Sequence, residues 1–135
     1  MIDKVEIQET ISLYHEGGSL GDLDQVLGTF LPDGTWEVPA FEIRCQGHAE
    51  IRSTMEAMVA PIEYLVQINA PAIVVVDGDT ASARSLIREC AKFRGGPLMD
   101  VVGQFSDELQ RTSDGWRFAL RTFTILGTHT TGETP

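Results

Sequence analysis

Cysteine and histidine are scarce in this sequence of 135 residues. Two cysteines, Cys45 and Cys90, stand far apart, and this is too few for a disulfide framework or a thiolate zinc site. We expect both thiols to be reduced, although a single disulfide between them stays open. The three histidines are scattered, whereas a metal site needs ligands that converge. We therefore expect no bound metal.

Basic residues are also few. Ten lysines and arginines stand against twenty acidic residues, which gives a net charge of −10. Nucleic acids and anionic membrane surfaces both attract basic side chains, so we expect neither as a partner. No apolar run approaches the roughly 20 residues of a membrane span, and the N-terminus lacks the apolar segment of a signal peptide. The expected compartment is the cytoplasm.

Motifs for nucleotide cofactors and activated nucleophiles are missing as well. No glycine-rich loop leads from a strand into a helix, and Gly95-Gly96-Pro97 separates two β-like runs as a turn would. No serine has a G-x-S-x-G context, and neither cysteine has an obvious base beside it. We expect a protein that works without a cofactor.

Residues 3–60 have a helical pattern. Asp3, with Glu6 three residues later, predicts the start of a helix that Gly17 and Gly18 end. The other predicted elements are a helix from Asp22 to Pro32, a short strand Thr35–Val38, and a helix after Gly47 that carries Ile51, Met55 and Met58.

From Ile62 onward the pattern changes to β. Four runs rich in Val, Ile, Phe and Thr are separated by glycine-containing turns, which are hairpin signals. Helices followed by a long antiparallel meander predict an α+β domain over residues 1–127, with a flexible tail at 128–135. Helices on the concave face of a curved sheet leave a cavity suited to a small molecule. The runs are Ile62–Val76, Thr80–Arg94, Met99–Arg111 and Trp116–Gly127.

Five short blocks carry a resemblance to a known family. They are FLPDGTW at 30–36, GHAEIR at 47–52, VDGDTA at 76–81, FSDELQR at 105–111 and DGWRF at 114–118. In this order and spacing, the chain resembles the SnoaL-like branch of the NTF2-like superfamily over roughly residues 5–126. The resemblance implies a cone-shaped barrel, with N-terminal helices packed on a curved, mostly antiparallel sheet, a deep pocket, and a homodimer formed through the outer sheet face.

Known relatives in this branch differ in activity. They include polyketide cyclases, ketosteroid isomerases, scytalone- and bile-acid-type dehydratases and dehydrochlorinases, alongside members with no catalytic role, so fold alone does not determine function. The dehydratase-like relatives use a His–Asp pair and a helix-1 tyrosine. The tyrosine matches Tyr14, but Ser19 and Leu65 stand where the aspartate and histidine would be. Asn69 is retained, and Glu89 keeps an acid at the position of the bile-acid-type carboxylate.

Glu89 and Tyr14 are the predicted catalytic residues. Every second residue from Ala81 to Phe93 is small or apolar except Glu89, and this period places the set on one face of a strand. On the inner face, such a carboxylate would have a raised pKa and serve as general acid or base. The alternatives are a bulge that turns it outward or a pair with an arginine. The Tyr14 hydroxyl would bind a substrate carbonyl, or else the backbone.

Two further groups complete the predicted site. Asp107 lies on a mostly apolar face, with Arg111 and Arg121 as possible partners; an ion pair is favoured over catalysis, and Arg121 would alternatively pair with Glu89 or bind a ligand oxygen. The amides of Gln67 and Asn69 would orient a ligand oxygen. The predicted apolar lining includes Trp36, Met55, Tyr64 and Phe105.

These residues predict a protein that binds a small, largely apolar carbonyl, polyketide-like or steroid-like molecule and catalyses proton transfer of the isomerase, dehydratase or cyclase type. The alternative is a non-catalytic ligand-binding or protein-interaction module that has lost the His–Asp pair. A third possibility is an accessory subunit of the dioxygenase β-subunit type.

Overall fold

A single seven-stranded sheet forms the body of the computed structural model, which describes residues 1–132. Three α-helices accompany it, and a short 3-10 helix, Pro39–Phe41, joins the first two strands. The helices are α1 (Ile2–Leu20), α2 (Leu23–Gly28) and α3 (His48–Val59). The strands are β1 (Phe30–Val38), β2 (Ile43–Gln46), β3 (Ile62–Asn69), β4 (Ile73–Asp77), β5 (Thr80–Phe93), β6 (Leu98–Thr112) and β7 (Gly115–Thr131).

The strand order is β2-β1-β7-β6-β5-β3, with β4 also paired to β5. Every pair is antiparallel except β1 with β7. Helix α1 packs on β3, β4 and β7, and α3 packs on β1 and β2. The predicted α+β class and the curved, mostly antiparallel sheet of the NTF2-like cone are therefore confirmed.

The predicted run Ile62–Val76 is two strands rather than one. β3 pairs with the second half of β5 and β4 with the first half, and Pro71 lies between them. Proline has no backbone N–H for a ladder, and the Gln8 side chain instead bonds the backbone N–H and carbonyl of Ala72 at 3.1 and 2.8 Å. The break also shifts the alternation, so that Val74 is buried and Ile73 is exposed.

The predicted end of α1 at Gly17 and Gly18 is wrong, because the helix continues to Leu20 and ends at Gly21, which has a left-handed φ of 74°. Gly17 serves close packing instead. A Cβ there would lie 2.9 Å from both the Asp22 carbonyl oxygen and Val26 Cγ2. Asp22 does cap α2, since its side chain accepts a hydrogen bond from the Gln25 backbone N–H.

The remaining boundaries differ in smaller ways. α1 begins at Ile2, so that Asp3 lies in its first turn instead of capping it. α2 ends at Gly28 and β1 begins at Phe30, earlier than the predicted Thr35. β7 continues beyond the predicted domain boundary at residue 127 to Thr131, and residues 133–135 of the predicted tail lie outside the described residues.

Candidate functional site

A buried ion pair lies at the centre of the inner sheet face. Asp107 on β6 and Arg121 on β7 are register partners, and both side chains are 0% exposed. Arg121 Nε lies 3.1 Å from Asp107 Oδ1, but the contact is not aligned as a hydrogen bond. Burial raises the pKa of Asp107 to about 6 although Arg121 opposes it, and burial lowers the pKa of Arg121. The predicted alternative of an Asp107–Arg121 ion pair is the one observed.

Aromatic rings surround the Arg121 guanidinium. Its central carbon lies 4.2 Å from the ring centre of Tyr14, 3.9 Å from Phe105 and 4.5 Å from Phe118. The negative faces of these rings attract a cation, which offsets part of the cost of burying the guanidinium. Arg121 is therefore held as a cation inside an otherwise apolar core.

His15 connects this cluster to strand β3, and the sequence reasoning missed it. Its Nε2 lies 3.2 Å from Arg121 Nη2, and its Nδ1 lies 2.6 Å from Gln67 Oε1. Burial, and then the Arg121 charge, lower the pKa of His15 to about 3, so the ring is neutral near pH 7. Because Tyr14 and His15 are adjacent, a helix turns them about 100° apart, so a narrow buried stripe would hold only one of them. α1 buries a face wide enough for both.

Tyr14 is buried against the rings of Phe105 and Phe118. Burial is the largest cause that raises its pKa to about 12; the nearby Glu89 charge adds to this, and Arg121 opposes it. The Trp36 side chain approaches the Tyr14 hydroxyl and lowers the pKa slightly, although no aligned hydrogen bond forms to Trp36 Nε1. The phenol therefore stays protonated and able to donate at neutral pH.

Glu89 is on the inner face, one of the two orientations that the sequence left open. Its register partners are Gln67 on β3 and Val101 on β6, and its side chain is partly exposed. Burial raises its pKa. The alternative pairings do not form, because Arg88 contacts Asp100 at 3.2 Å and Arg121 contacts Asp107. Within residues 1–132, Glu89 is thus a carboxyl group without a cationic partner, and its charge contributes to the raised pKa of Tyr14.

The other predicted residues have three different placements. Trp36, Met55 and Phe105 are buried in the core. The Asn69 amide is used within the sheet, since it accepts from Ser85 Oγ at 3.3 Å and donates to the Ala70 carbonyl at 2.9 Å. Tyr64 is 52% exposed, so its predicted place in the lining is wrong; the neighbouring Leu65 takes the inward position.

Two surface hollows lie on the outer face of the sheet. One of about 390 Å³ is lined by apolar side chains that include Ile68, Leu86, Val102 and Leu126. The other, of about 280 Å³, is lined in part by Cys90 and Leu98. Neither touches Tyr14, Glu89 or Arg121, so the predicted interior pocket stays a prediction.

Metal-ligating residues do not gather in the part of the chain that the structure describes, where no group of three or more His, Cys, Asp or Glu side chains could hold an ion. Cys45 and Cys90 are both free. Over residues 1–132, no helix is long and apolar enough to cross a membrane.

Comparison with known proteins supports the resemblance. A model of the SnoaL-like domain matches residues 1–122, and no curated protein sequence matches the chain. A provisionally assigned aromatic ring hydroxylase from Novosphingobium aromaticivorans is similar in structure, with 26% identity, a TM-score of 0.89 and coverage of 96% of this chain and 93% of that one.

Two further solved structures extend this comparison. An NTF2-like protein with a cystatin-like fold, also from Novosphingobium aromaticivorans, has 28% identity and a TM-score of 0.78, with coverage of 92% of this chain and 82% of that one. A hexachlorocyclohexane dehydrochlorinase from Novosphingobium barchaimii has 12% identity and a TM-score of 0.86, with coverage of 95% and 89%. At that identity the likeness shows the fold alone.

Proposed function

The chain belongs to the family of SnoaL-like domains, and from that premise we propose that it binds a small, largely apolar carbonyl compound at Glu89 and catalyses proton transfer on it without a cofactor. The reaction class is isomerisation, dehydration or cyclisation. The observation that carries the proposal is the Glu89 carboxyl group, which lies on the inner face with a raised pKa and has no cationic partner within residues 1–132; its charge also acts on the Tyr14 phenol.

The chemistry follows from these two groups. The Glu89 carboxylate takes a proton from the carbon next to the substrate carbonyl, and the electron pair moves onto the carbonyl oxygen to form an enolate. The Tyr14 hydroxyl, whose pKa of about 12 keeps it protonated, donates a hydrogen bond to that oxygen. The Glu89 acid then returns the proton to another atom of the substrate. The Gln67 amide would help to orient the substrate, whereas Arg121 is 0% exposed and enclosed by aromatic rings.

Hydrogen–deuterium exchange tests this without knowledge of the natural substrate. We expect the protein in D₂O to accelerate exchange of the protons next to the carbonyl of 2-tetralone, followed by NMR. Glu89→Gln should slow this exchange by at least about a hundredfold, the lower range for loss of a general base, with an unchanged melting temperature. Glu108→Gln, on the exposed outer face of β6, is the matched control. Wild-type exchange at the buffer rate, or a Glu89→Gln variant as fast as wild type, would contradict the proposal.

One observation favours the alternative of a non-catalytic module. The inner face around Arg121 is filled by Tyr14, Phe105 and Phe118 rather than open. Saturable binding of 2-tetralone without accelerated exchange would support that alternative.

We also propose that the protein is a cytoplasmic homodimer. The free Cys45 and Cys90 thiols are compatible with a reducing compartment. Leu86 and Val102, which face outward from the sheet, are 56% and 44% exposed, and an apolar outer face is what association through it requires.

A further inference from the structure

The direction of each hydrogen bond from Arg121 to Gln67 can be assigned from chemistry. A guanidinium only donates, so His15 Nε2, at 3.2 Å from Arg121 Nη2, must be the acceptor and carry no proton. The proton of the neutral ring is then on Nδ1, which donates across 2.6 Å to Gln67. The Gln67 atom at that position must therefore be the oxygen, and the amide orientation is determined.

Gln67 is also held by packing. Its backbone N–H donates to Ser19 Oγ at 2.9 Å. A Cβ added at Gly18 would lie 3.2 Å from Gln67 Nε2 and 3.4 Å from Oε1, so the amide lies against Gly18, and a side chain there would push it back by a few tenths of an ångström. Helix α1 thus holds the end of this side chain on one side through His15 and on the other through Gly18.

The Gln67 side chain and the proposed base lie on neighbouring strands. Gln67 and Glu89 are register partners with both side chains on the inner face, where partner Cβ atoms lie about 4.5–5.5 Å apart. Within residues 1–132 the Gln67 Nε2 group makes no hydrogen bond, while its oxygen is taken by His15. Gln67 is partly exposed, so a ligand at Glu89 would meet N–H donors and no amide acceptor.

We propose that His15 is a positioning residue that fixes Gln67 with its NH₂ group toward the Glu89 site, so that the site selects ligands carrying a hydrogen-bond acceptor such as a carbonyl oxygen. This selectivity rests on the proposed function only in taking Glu89 as the ligand site, since it concerns binding and requires no turnover. Arg121 donates to His15 Nε2 and thereby makes that nitrogen the acceptor. The neutral imidazole, with its pKa lowered to about 3, then donates from Nδ1 and orients the Gln67 amide.

The test compares two probes of nearly the same shape, acetophenone and α-methylstyrene, in which a C=CH₂ group replaces the C=O. Binding is measured by NMR titration of the Gln67 side-chain NH₂ signals. In the wild type we expect acetophenone to bind about three- to tenfold more tightly, the range for one net hydrogen bond. The ¹⁵N spectrum of His15 should show a neutral ring protonated on Nδ1 from pH 5 to 8.

Substitutions then separate positioning from simple packing. His15→Leu removes the donor to Gln67, and the preference for acetophenone should fall to about onefold. His15→Asn should restore it, because the Asn amide nitrogen is the same number of bonds from Cα as Nδ1. Gln67→Glu keeps an acceptor for His15 but removes the NH₂ group, so it should also abolish the preference. Gln110→Glu, the same change at an exposed position of β6, is the control that should retain it.

Three results would overturn the inference: a His15 ring protonated on Nε2, no response of the Gln67 amide to acetophenone, or equal binding of the two probes by the wild type. Retention of the preference in both His15→Leu and Gln67→Glu would overturn it as well. Failure of the proposed function gives a different result. In that case the wild type still prefers acetophenone, but Glu89→Gln does not slow the deuterium exchange.

Discussion

At the scale of single residues, the core accommodates charge by surrounding it with specific partners. Arg121 has Asp107 on one side, three aromatic faces around it, and the His15 nitrogen as an acceptor. Each contact compensates part of the desolvation of a fully buried guanidinium. His15 is the partner that must stay neutral, because a second cation beside Arg121 would be repelled. That requirement makes stability depend on pH.

We expect His15 to destabilise the fold as the pH falls below 6.5. The unfolded chain binds a proton at His15 near the ordinary pKa of 6.5, whereas the native ring, next to Arg121, does so only near 3. Because the unfolded state then binds more protons, the free energy of unfolding decreases as the pH is lowered from 6.5 toward 3. The free energy of unfolding of the wild type should decline by up to about 1.4 kcal/mol per pH unit relative to His15→Asn.

Urea denaturation of both proteins between pH 4 and 7.5 measures this difference. Asp107 has the opposite effect, because its pKa is raised from 3.8 to about 6 in the native state. Between these two values the native state binds more protons at Asp107, so the free energy of unfolding gains from Asp107 as the pH falls. It is present in both proteins, so it cancels in the comparison. Parallel pH profiles for wild type and His15→Asn would show that His15 does not titrate differently in the native state.

The site residues differ in how far sequence could predict them. Glu89 was predictable because strand alternation has a period of exactly two, and one acid stood among apolar neighbours. Tyr64 was included although the same alternation turns it outward, so that error lay in the choice of aromatic residues. His15 was not predictable, since helix geometry only places it about 100° from Tyr14. Its burial depends on how much of α1 the sheet covers.

At the scale of elements, irregularities in the strands shape the inner face. The register between β6 and β7 shifts at Val102 and Gly103, and this shift brings Phe123 over Gly103. A Cβ at Gly103 would lie 2.4 Å from Phe123 Cε1 and 2.6 Å from the Thr124 carbonyl oxygen. Since one of these atoms belongs to the backbone, rotation of a side chain cannot relieve the overlap.

Gly103→Ala should therefore destabilise the protein by about 1–3 kcal/mol, the range for overpacking. Gly28→Ala is the matched control, because a Cβ at this helical residue would meet no atom within 4 Å; its stability should be unchanged or up to about 1 kcal/mol higher. Urea unfolding at one pH compares the three proteins. A Gly103→Ala variant as stable as wild type would show that the two strands separate at little cost.

The long strands β5 and β6 agree closely with the sequence prediction because alternation and glycine turns act locally. The failures came from contacts between elements. Gly17 looked like a helix end, but it is a packing position against α2. The break between β3 and β4 has a local signal in Pro71, but no local pattern reveals the Gln8 bond to Ala72, 64 residues away in sequence.

At the scale of the whole molecule, the net charge of −10 opposes self-association unless the contact surface is free of it. The outer face around Leu86 meets this condition. The nearby Arg88 is balanced by Asp100 at 3.2 Å, and the apolar side chains Ile68 and Leu126 are 65% and 63% exposed. A second copy of the chain presents the same largely apolar surface and would cover it in a two-fold contact.

Because a two-fold contact contains each substituted residue twice, Leu86→Glu would bring two charges into the interface and should weaken the dimer by at least about tenfold. We expect light scattering after size exclusion to give about twice the chain mass of 14.8 kDa for the wild type, and the single mass for Leu86→Glu. Leu20 lies at the end of α1, away from this face, and is 76% exposed. The Leu20→Glu variant makes the same change there and should stay dimeric. The dimer would be contradicted if the wild type were monomeric at tens of micromolar, or if Leu20→Glu alone dissociated it. Either result would mean that the outer face does not bind a second copy of the chain.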